Sequence, residues 1–548
     1  MLDNTHGYLH PFLNGRTYLY GVGELPRTLT ELAMCHLSAR IRSTDRWWSK
    51  IDCRGFRAYW AHEGATTLHS IFTSSGKVKV NLTPKQVEYV LDELASYASL
   101  RDCEGNCEVA CFDRIWQTSQ SLPSTLLASL EMQATALASP LRTYYETSVD
   151  TVDPCSYPLV YGRTPALTKE NVLKATSQPE SWYYAFSTRF SYLPTAFSIS
   201  GPTMPCRATA KGYINGVPPH IPSMSENIEA IVSNAIPLFE SVLTDLHHDN
   251  PLRHRITGGC RYDERGPLGK PVISDGKQGL VKNGKAIEER STNKPLLILP
   301  DIVAEGYQRG LDAAKHRVSL RGRTVNVVVR MTEIYLRPDR PYQGASAWRA
   351  EGMLNEHIVA CAYICIAANN ARPLSIDYRM PVQTPLNSIP GDTEATQQTW
   401  GLRQGAPSHQ YLGRSTLTPG RIVSFPNIYQ TQFSSTSLID PYKEGSMTVL
   451  GLYLMDPDFP NVMDDGEVLT TSSVPPQDIK WLHRALEDYL PIKIPMEIID
   501  NIVDQVDWLM SEEEYKQCAV KMRRERKAFW QTHDQLWFSI PFSAFESF

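Results

Sequence analysis

The sequence predicts an α+β protein in which a sandwich or jelly roll of short strands lies between a helical N-terminal region and a helical C-terminal one. Two observations predict it. Apolar residues recur at helical spacing in residues 1–150 and again in 471–548, whereas the stretch between them carries short Val/Ile/Tyr-rich runs separated by Pro/Gly turns. Neither an internal repeat nor a low-complexity tract interrupts this order.

Residues 27–62 place Leu29, Leu32, Leu37 and Ile41 near one face, followed by Trp47, Trp48, Phe56 and Trp60. In 83–99, Thr83-Pro84 supplies a cap and a first-turn proline, while Val87, Val90, Leu91 and Leu94 form the apolar side. Further helices are expected at 122–139, opening at Pro123-Ser124, and at 226–249, ending in His247-His248-Asp249. The segment 258–293, dense in Gly, Lys and Arg, reads as a loop insertion. Strands are expected at 324–335, 356–366, 421–429 and 448–455, and amphipathic helices at 476–489, 495–510 and 511–530. The chain thus divides into a mainly helical region 1–150, a strand-rich core 151–470 and a helical region 471–548, packed as one unit.

With 548 residues, 42% of them hydrophobic, the chain can bury a sizeable core. A formal charge of −5, from 54 basic and 59 acidic residues, argues against a nucleic-acid scaffold. The start lacks a basic segment followed by an apolar one, and no run is apolar over the length of a membrane span. A cytoplasmic protein is therefore expected. Eleven irregularly spaced cysteines fit free thiols in a reducing compartment. Phosphate-cradling loops, nucleophile elbows and Cys-x-x-Cys pairs do not occur, which leaves ATPase, serine hydrolase and thioredoxin-like activities without support.

Several ordered strings carry more specific information. They are Ser156-Tyr157-Pro158-Leu159-Val160-Tyr161-Gly162-Arg163-Thr164, then Trp348 with Glu351-Gly352-Met353-Leu354-Asn355-Glu356-His357-Ile358, then Gly420-Arg421-Ile422-Val423-Ser424-Phe425-Pro426-Asn427, and finally Asp456-Pro457 and Val474-Pro475-Pro476-Gln477. In these strings the chain resembles the fungal domain-of-unknown-function 4246 family. The core implied by that resemblance is similar to the double-stranded β-helix, a cupin-like jelly roll, of the iron(II)- and 2-oxoglutarate-dependent oxygenases. The resemblance also implies His-x-Glu on a strand beginning at Trp348, a distal His on the strand after Asn427, and an Arg farther on. The first three would form an iron facial triad and the Arg would hold 2-oxoglutarate. This chain departs at three of the four places. Arg349 stands at the first His, Thr431 at the distal His and Met447 at the Arg, and Glu351 alone remains.

A guanidinium has no lone pair for iron(II) and repels a cation, and Met447 offers 2-oxoglutarate no charge-assisted contact. No metal and no cofactor are therefore expected, unless His357 or His409 rearranges to serve as a ligand. Arg349 and Glu351 read either as a salt bridge filling an abandoned metal site or as a catalytic pair, with Glu351 as acid or base and Arg349 as an anion stabiliser. Thr431, Met447, Trp348, His357, Arg163 and Tyr161 are candidate substrate contacts. Cys103, Cys107 and Cys111 lack a nearby fourth ligand, and His247, His248, Asp249 and His254 read as a helix end rather than a metal site. The expected function is a redox-neutral tailoring enzyme performing cyclisation, isomerisation, dehydration or a pericyclic step on a hydrophobic small molecule in fungal specialised metabolism. The alternatives are a non-catalytic pseudo-oxygenase that supports a protein partner and a non-haem iron oxygenase with unorthodox ligands.

Overall fold

Val325, Val327, Val328 and Val329 begin the longest strand of the protein, Thr324–Leu336, whose β-branched residues suit a pleated surface covered on both sides. In the computed structural model, which describes residues 7–12, 23–102, 104–143, 146–167, 172–177, 183–201, 205–263, 296–311, 313–458, 469–489 and 494–545, this strand anchors a large antiparallel sheet. The order across it is Ala208–Ala210, Thr195–Ile199, Thr324–Leu336, Gly445–Met455, Ile358–Asn369, Ile422–Pro426, Trp116–Thr118 and Cys107–Val109, with Ser148–Val152 pairing separately to Thr324–Leu336. A second antiparallel sheet runs Gly76–Val80, His69–Thr73, His409–Thr416, Ser375–Pro381 and Gln430–Phe433. From residue 358 onward the chain crosses repeatedly between the two sheets, with Ser375–Pro381 and His409–Thr416 forming neighbours in the second.

The run Ile358–Asn369 is buried at its first ten positions, so the alternation that marks a half-exposed strand is missing. Its outer side is covered by the helices Ser124–Ala138 and Pro222–Leu246. The N-terminal region, expected to be mainly helical, contributes strands to both sheets through His69–Thr73, Gly76–Val80, Cys107–Val109 and Trp116–Thr118. Its helices are Leu29–Arg42, Arg54–Thr66 and Pro84–Leu100, the last opened by a capping box between Thr83 and Gln86.

Several boundaries differ from those read in the sequence. The expected helix 226–249 spans Pro222–Leu246, so His247, His248 and Asp249 lie beyond its end in extended and turn backbone. The expected helix 495–510 stops at Asp504. Beyond that end Arg163 donates to the carbonyls of Trp508 and Leu509 at 2.9 Å each. The expected strand at Trp348 is reduced to a single bridge between Arg349 and Thr431. Gly352, at φ 74°, turns the chain immediately after Glu351. The insertion expected at 258–293 lies outside the described residues from 264 onward, as does Cys103.

The C-terminal helix Glu512–His533 is fastened to the strand-rich core by a buried ion pair, Arg526 to Glu356, and a half-exposed one, Arg523 to Asp153. Among the described residues no helix is long and apolar enough to cross a membrane.

Candidate functional site

Three neighbouring strands of the large sheet place Arg330, Gly451 and Tyr363 side by side, since Gly451 is the register partner of both others. Side chains at these positions share one face, and the missing side chain at Gly451 leaves room there. A Cβ at that glycine would meet the Tyr363 ring at 2.8 Å. The space is a cavity of about 150 Å³. Its sheet wall is formed by Arg330, Thr332, Ile334, Tyr363, Val449, Gly451 and Tyr453, and its opposite wall by residues that include Gln343, Ser346, Arg349, Phe433 and Ser434.

Arg349 and Glu351 meet beside this cavity. The Arg349 Nε donates to Glu351 Oε1 at 2.7 Å, and the guanidinium lies 5.2 Å from the Trp530 ring. The Tyr363 hydroxyl donates to the same carboxylate oxygen at 2.7 Å and lies 3.3 Å from the Tyr453 hydroxyl. Glu351 Oε2 is buried and has no hydrogen-bond partner among the described residues. The backbone of Glu351 is fixed by Asn427, which accepts from its N–H at 2.9 Å and donates to its carbonyl at 2.8 Å. One amide side chain thus replaces the strand neighbour that this segment lacks.

Burial opposes ionisation of Glu351, but the charges of Arg349 and Arg330, with the hydrogen bonds from Arg349 and Tyr363, outweigh it and hold the carboxyl below its ordinary range. The group is ionised at neutral pH. Burial raises both tyrosine hydroxyls, with Glu351 adding to the effect, so Tyr363 and Tyr453 stay protonated. Arg330 is paired on one side with Asp150, its Nε and Nη2 donating at 3.2 and 2.9 Å.

The structure brings Arg349 to the cavity wall and sets Glu351 just behind Arg349 and Tyr363. The remaining residues singled out in the sequence stand elsewhere. Thr431 is buried and bridges the backbone of Arg349. Met447 is fully buried between the strand partners Ile334 and Ala368. Trp348 lies under the Arg379 guanidinium, 4.5 Å from it. His357 sits in left-handed backbone with its ring 6.0 Å from that of His10. Arg163 clasps Trp508, Leu509 and Glu514, and Tyr161 accepts from Asn355 at 3.1 Å.

Arg330, Tyr363, Tyr453, Asp150 and Asn427 were not singled out individually. Asn427 lies within a family string, and Arg330 shares its strand with a second charge, Glu333, so nothing local distinguishes it. The two tyrosines look like ordinary strand aromatics.

These donors do not fit the iron that the family resemblance implies. Arg349 occupies Glu351 Oε1, Thr431 supplies no imidazole, and His409 directs Nδ1 to the Phe538 carbonyl at 2.7 Å. Neither His357 nor His409 lines the cavity. Elsewhere, His247, His248 and Asp249 bring three potential ligand atoms together, two of the residues being exposed. Cys107 and Cys111 face different partners, Ser241 and Ser415.

A family model described as a protein of unknown function, DUF4246, matches residues 84–485. No curated protein matches the chain. Among solved structures, the chain is similar to an Fe(II)/α-ketoglutarate-dependent dioxygenase, TqaL, at 9% identity and a TM-score of 0.23, over 64% of this chain and 94% of that one. A bsmA homolog from Methylobium petroleophilum PM1 shows 8% identity and a TM-score of 0.23, over 61% and 82% of the two chains. An IDO structure from Bacillus thuringiensis shows 7% identity and a TM-score of 0.16, over 24% of this chain and 46% of its own length. At these scores the likeness defines neither a fold nor an activity.

Proposed function

We propose, for a chain that belongs to the DUF4246 family of proteins of unknown function, that it is a redox-neutral acid–base enzyme acting on a small molecule without iron or 2-oxoglutarate. The scaffold is read as a jelly roll of the double-stranded β-helix type, and the setting as cytoplasmic fungal specialised metabolism. The observation that carries this reading is the hydrogen-bonded line from the ionised Glu351 through Tyr363 to Tyr453, which ends at a cavity with Arg330 and Arg349 in its wall.

The chemistry follows from the proton positions. With Tyr363 donating to Glu351, its oxygen is free to accept from Tyr453, whose own oxygen then faces the substrate as an acceptor. A proton leaving the substrate enters at Tyr453 as the hydroxyl protons shift along the line, and Glu351 becomes neutral. Arg330 and Arg349 stabilise the negative charge left on the substrate. Return of the proton to a different substrate atom completes an isomerisation or cyclisation, and loss of water completes a dehydration. No electrons leave the substrate. A positioned base of this kind contributes roughly 10²–10⁴-fold to the rate.

The test is to incubate the purified chain, treated with a chelator and given no 2-oxoglutarate, with small-molecule extracts, and to follow products by mass spectrometry. An isomeric or dehydrated product is expected, with turnover falling about 10²–10⁴-fold in Glu351→Gln. Turnover that requires added iron and releases succinate would sink the proposal. Activity that appears only with a second polypeptide and survives Glu351→Gln would instead favour the supporting-partner reading.

A further inference from the structure

Two guanidiniums in one small cavity call for an account of their remaining hydrogen-bond donors. In Arg255 and Arg163 every guanidinium nitrogen is engaged by protein groups: Arg255 reaches Glu93, Asp113, Tyr97 and the Cys35 sulfur, and Arg163 reaches Glu514 and two carbonyls. The cavity arginines differ. Asp150 takes only the Nε and Nη2 of Arg330, and Glu351 takes only the Nε of Arg349. Nη1 of Arg330 and both Nη groups of Arg349 have no protein acceptor among the described residues, yet they are not among the atoms sealed from open space. The two carboxylates therefore fix each guanidinium from one side and leave its other donors available beside the cavity.

The surroundings define what those donors would meet. Ile334, Leu374, Phe433 and Val449 give the cavity an apolar portion, while Ser346 and Ser434 add small hydroxyls. We propose that the substrate carries a planar carboxylate, bound by the free donors of Arg330 and Arg349, with its apolar body against Phe433 and Val449. A planar carboxylate matches the fork geometry of a guanidinium, and its charge-assisted hydrogen bonds are about twice as strong as neutral ones. Asp150 and Glu351 already balance the two cations, so a monoanion is favoured over a phosphate dianion, which would add two negative charges beside an ionised Glu351. This inference rests on the acid–base reading of the same cavity and names the class of molecule it takes.

The experiment is calorimetric titration of the full chain with benzoate, benzamide and inorganic phosphate. Benzoate is expected to bind at least about ten-fold more tightly than its neutral isostere benzamide, with phosphate failing to displace it. Arg330→Lys and Arg349→Lys keep the charges that balance Asp150 and Glu351 but lose the fork, and each is expected to shrink that preference to about three-fold or less. Equal affinity for benzamide, no benzoate binding at millimolar concentration, or displacement by phosphate overturns the carboxylate assignment using the unaltered protein, whatever the variants do. Glu351→Gln separates the two ideas. A benzoate preference that persists while that change leaves turnover unaltered condemns the acid–base reading alone, and loss of the preference with turnover still dependent on Glu351 condemns the carboxylate alone.

Discussion

Two buried arginine–glutamate pairs begin within a few residues of each other and are built to opposite ends. Glu356 pairs with Arg526 of the C-terminal helix and also accepts from the backbone N–H groups of Tyr192 and Met353, at 2.9 and 2.6 Å, so both its oxygens are engaged. The Arg526 guanidinium is stacked 3.7 Å from the Tyr192 ring. Glu351, by contrast, has one oxygen without a partner, and its arginine keeps two nitrogen donors unoccupied at a cavity wall. The first pair closes a seam between core and helix, and the second stops short of closing. The Arg526 Nε is itself buried without a partner among the described residues, so the contrast lies in the carboxylates: one with both oxygens engaged fixes structure, whereas one left partly unpaired beside a cavity retains the capacity to act on something else.

The sharpest way to break this contrast is to remove the arginines. Arg526→Met strands the Glu356 carboxylate in a sealed site and is expected to cost about 3–5 kcal/mol in urea unfolding. Arg349→Met is expected to cost less, about 1–3 kcal/mol, because the Tyr363 hydroxyl still donates to Glu351. The double change Arg349→Met with Glu351→Leu is expected to recover most of that loss, since an apolar pair of similar volume often replaces a buried ion pair at little cost. Equal costs for the two single arginine changes would erase the distinction.

A pH-dependent effect belongs to the closed seam. Burial lowers His533, on the C-terminal helix, to about 3, and burial with the nearby Arg379 charge lowers His409 to about 4. In the unfolded chain both titrate near 6.5 and bind protons that the folded chain does not. Stability is therefore complete above about pH 6.5 and falls as the pH drops toward 4, by up to about 1.4 kcal/mol per unit for each histidine. Glu351 acts in a lower window: its depressed carboxyl contributes stability above the ordinary carboxylate range, and that contribution disappears as pH falls through its folded value. Urea midpoints between pH 4 and 7 for His409→Gln and His533→Gln, compared with the unaltered chain, measure the histidine share. An unchanged slope in both variants would assign the effect to other groups.

Much of the architecture was readable in local patterns. The Thr83-Pro84 cap, the valine run from Val325 and the amphipathic C-terminal helices all depend on nearest-neighbour chemistry, and they lie close to where those patterns place them. The strands His69–Thr73, Ser375–Pro381 and His409–Thr416 were missed. Ser375–Pro381 and His409–Thr416 pair across a long connection, and His69–Thr73, though in a hairpin with Gly76–Val80, reaches the sheet through the distant His409–Thr416; a short strand stabilised by such pairing carries little local signal. The site divides in the same way. Arg349 and Glu351 emerged because two residues apart on extended backbone they share a side, and a family motif drew attention to them. Tyr363, Tyr453 and Arg330 did not emerge, because only strand register brings them together.

By itself the sequence determined which side chains occupy positions 349, 351, 431 and 447, and hence that those positions supply no imidazole for iron, because ligand chemistry is a property of the side chain. It also determined the short-range elements, since helix spacing, caps and β-branched runs act over a few residues. Tertiary structure decided that Glu351 is ionised, that its second oxygen is unpartnered, and that Arg330 and Arg349 face one cavity with donors to spare. Those are properties of burial and register, and both arise only when segments distant in the chain are packed together.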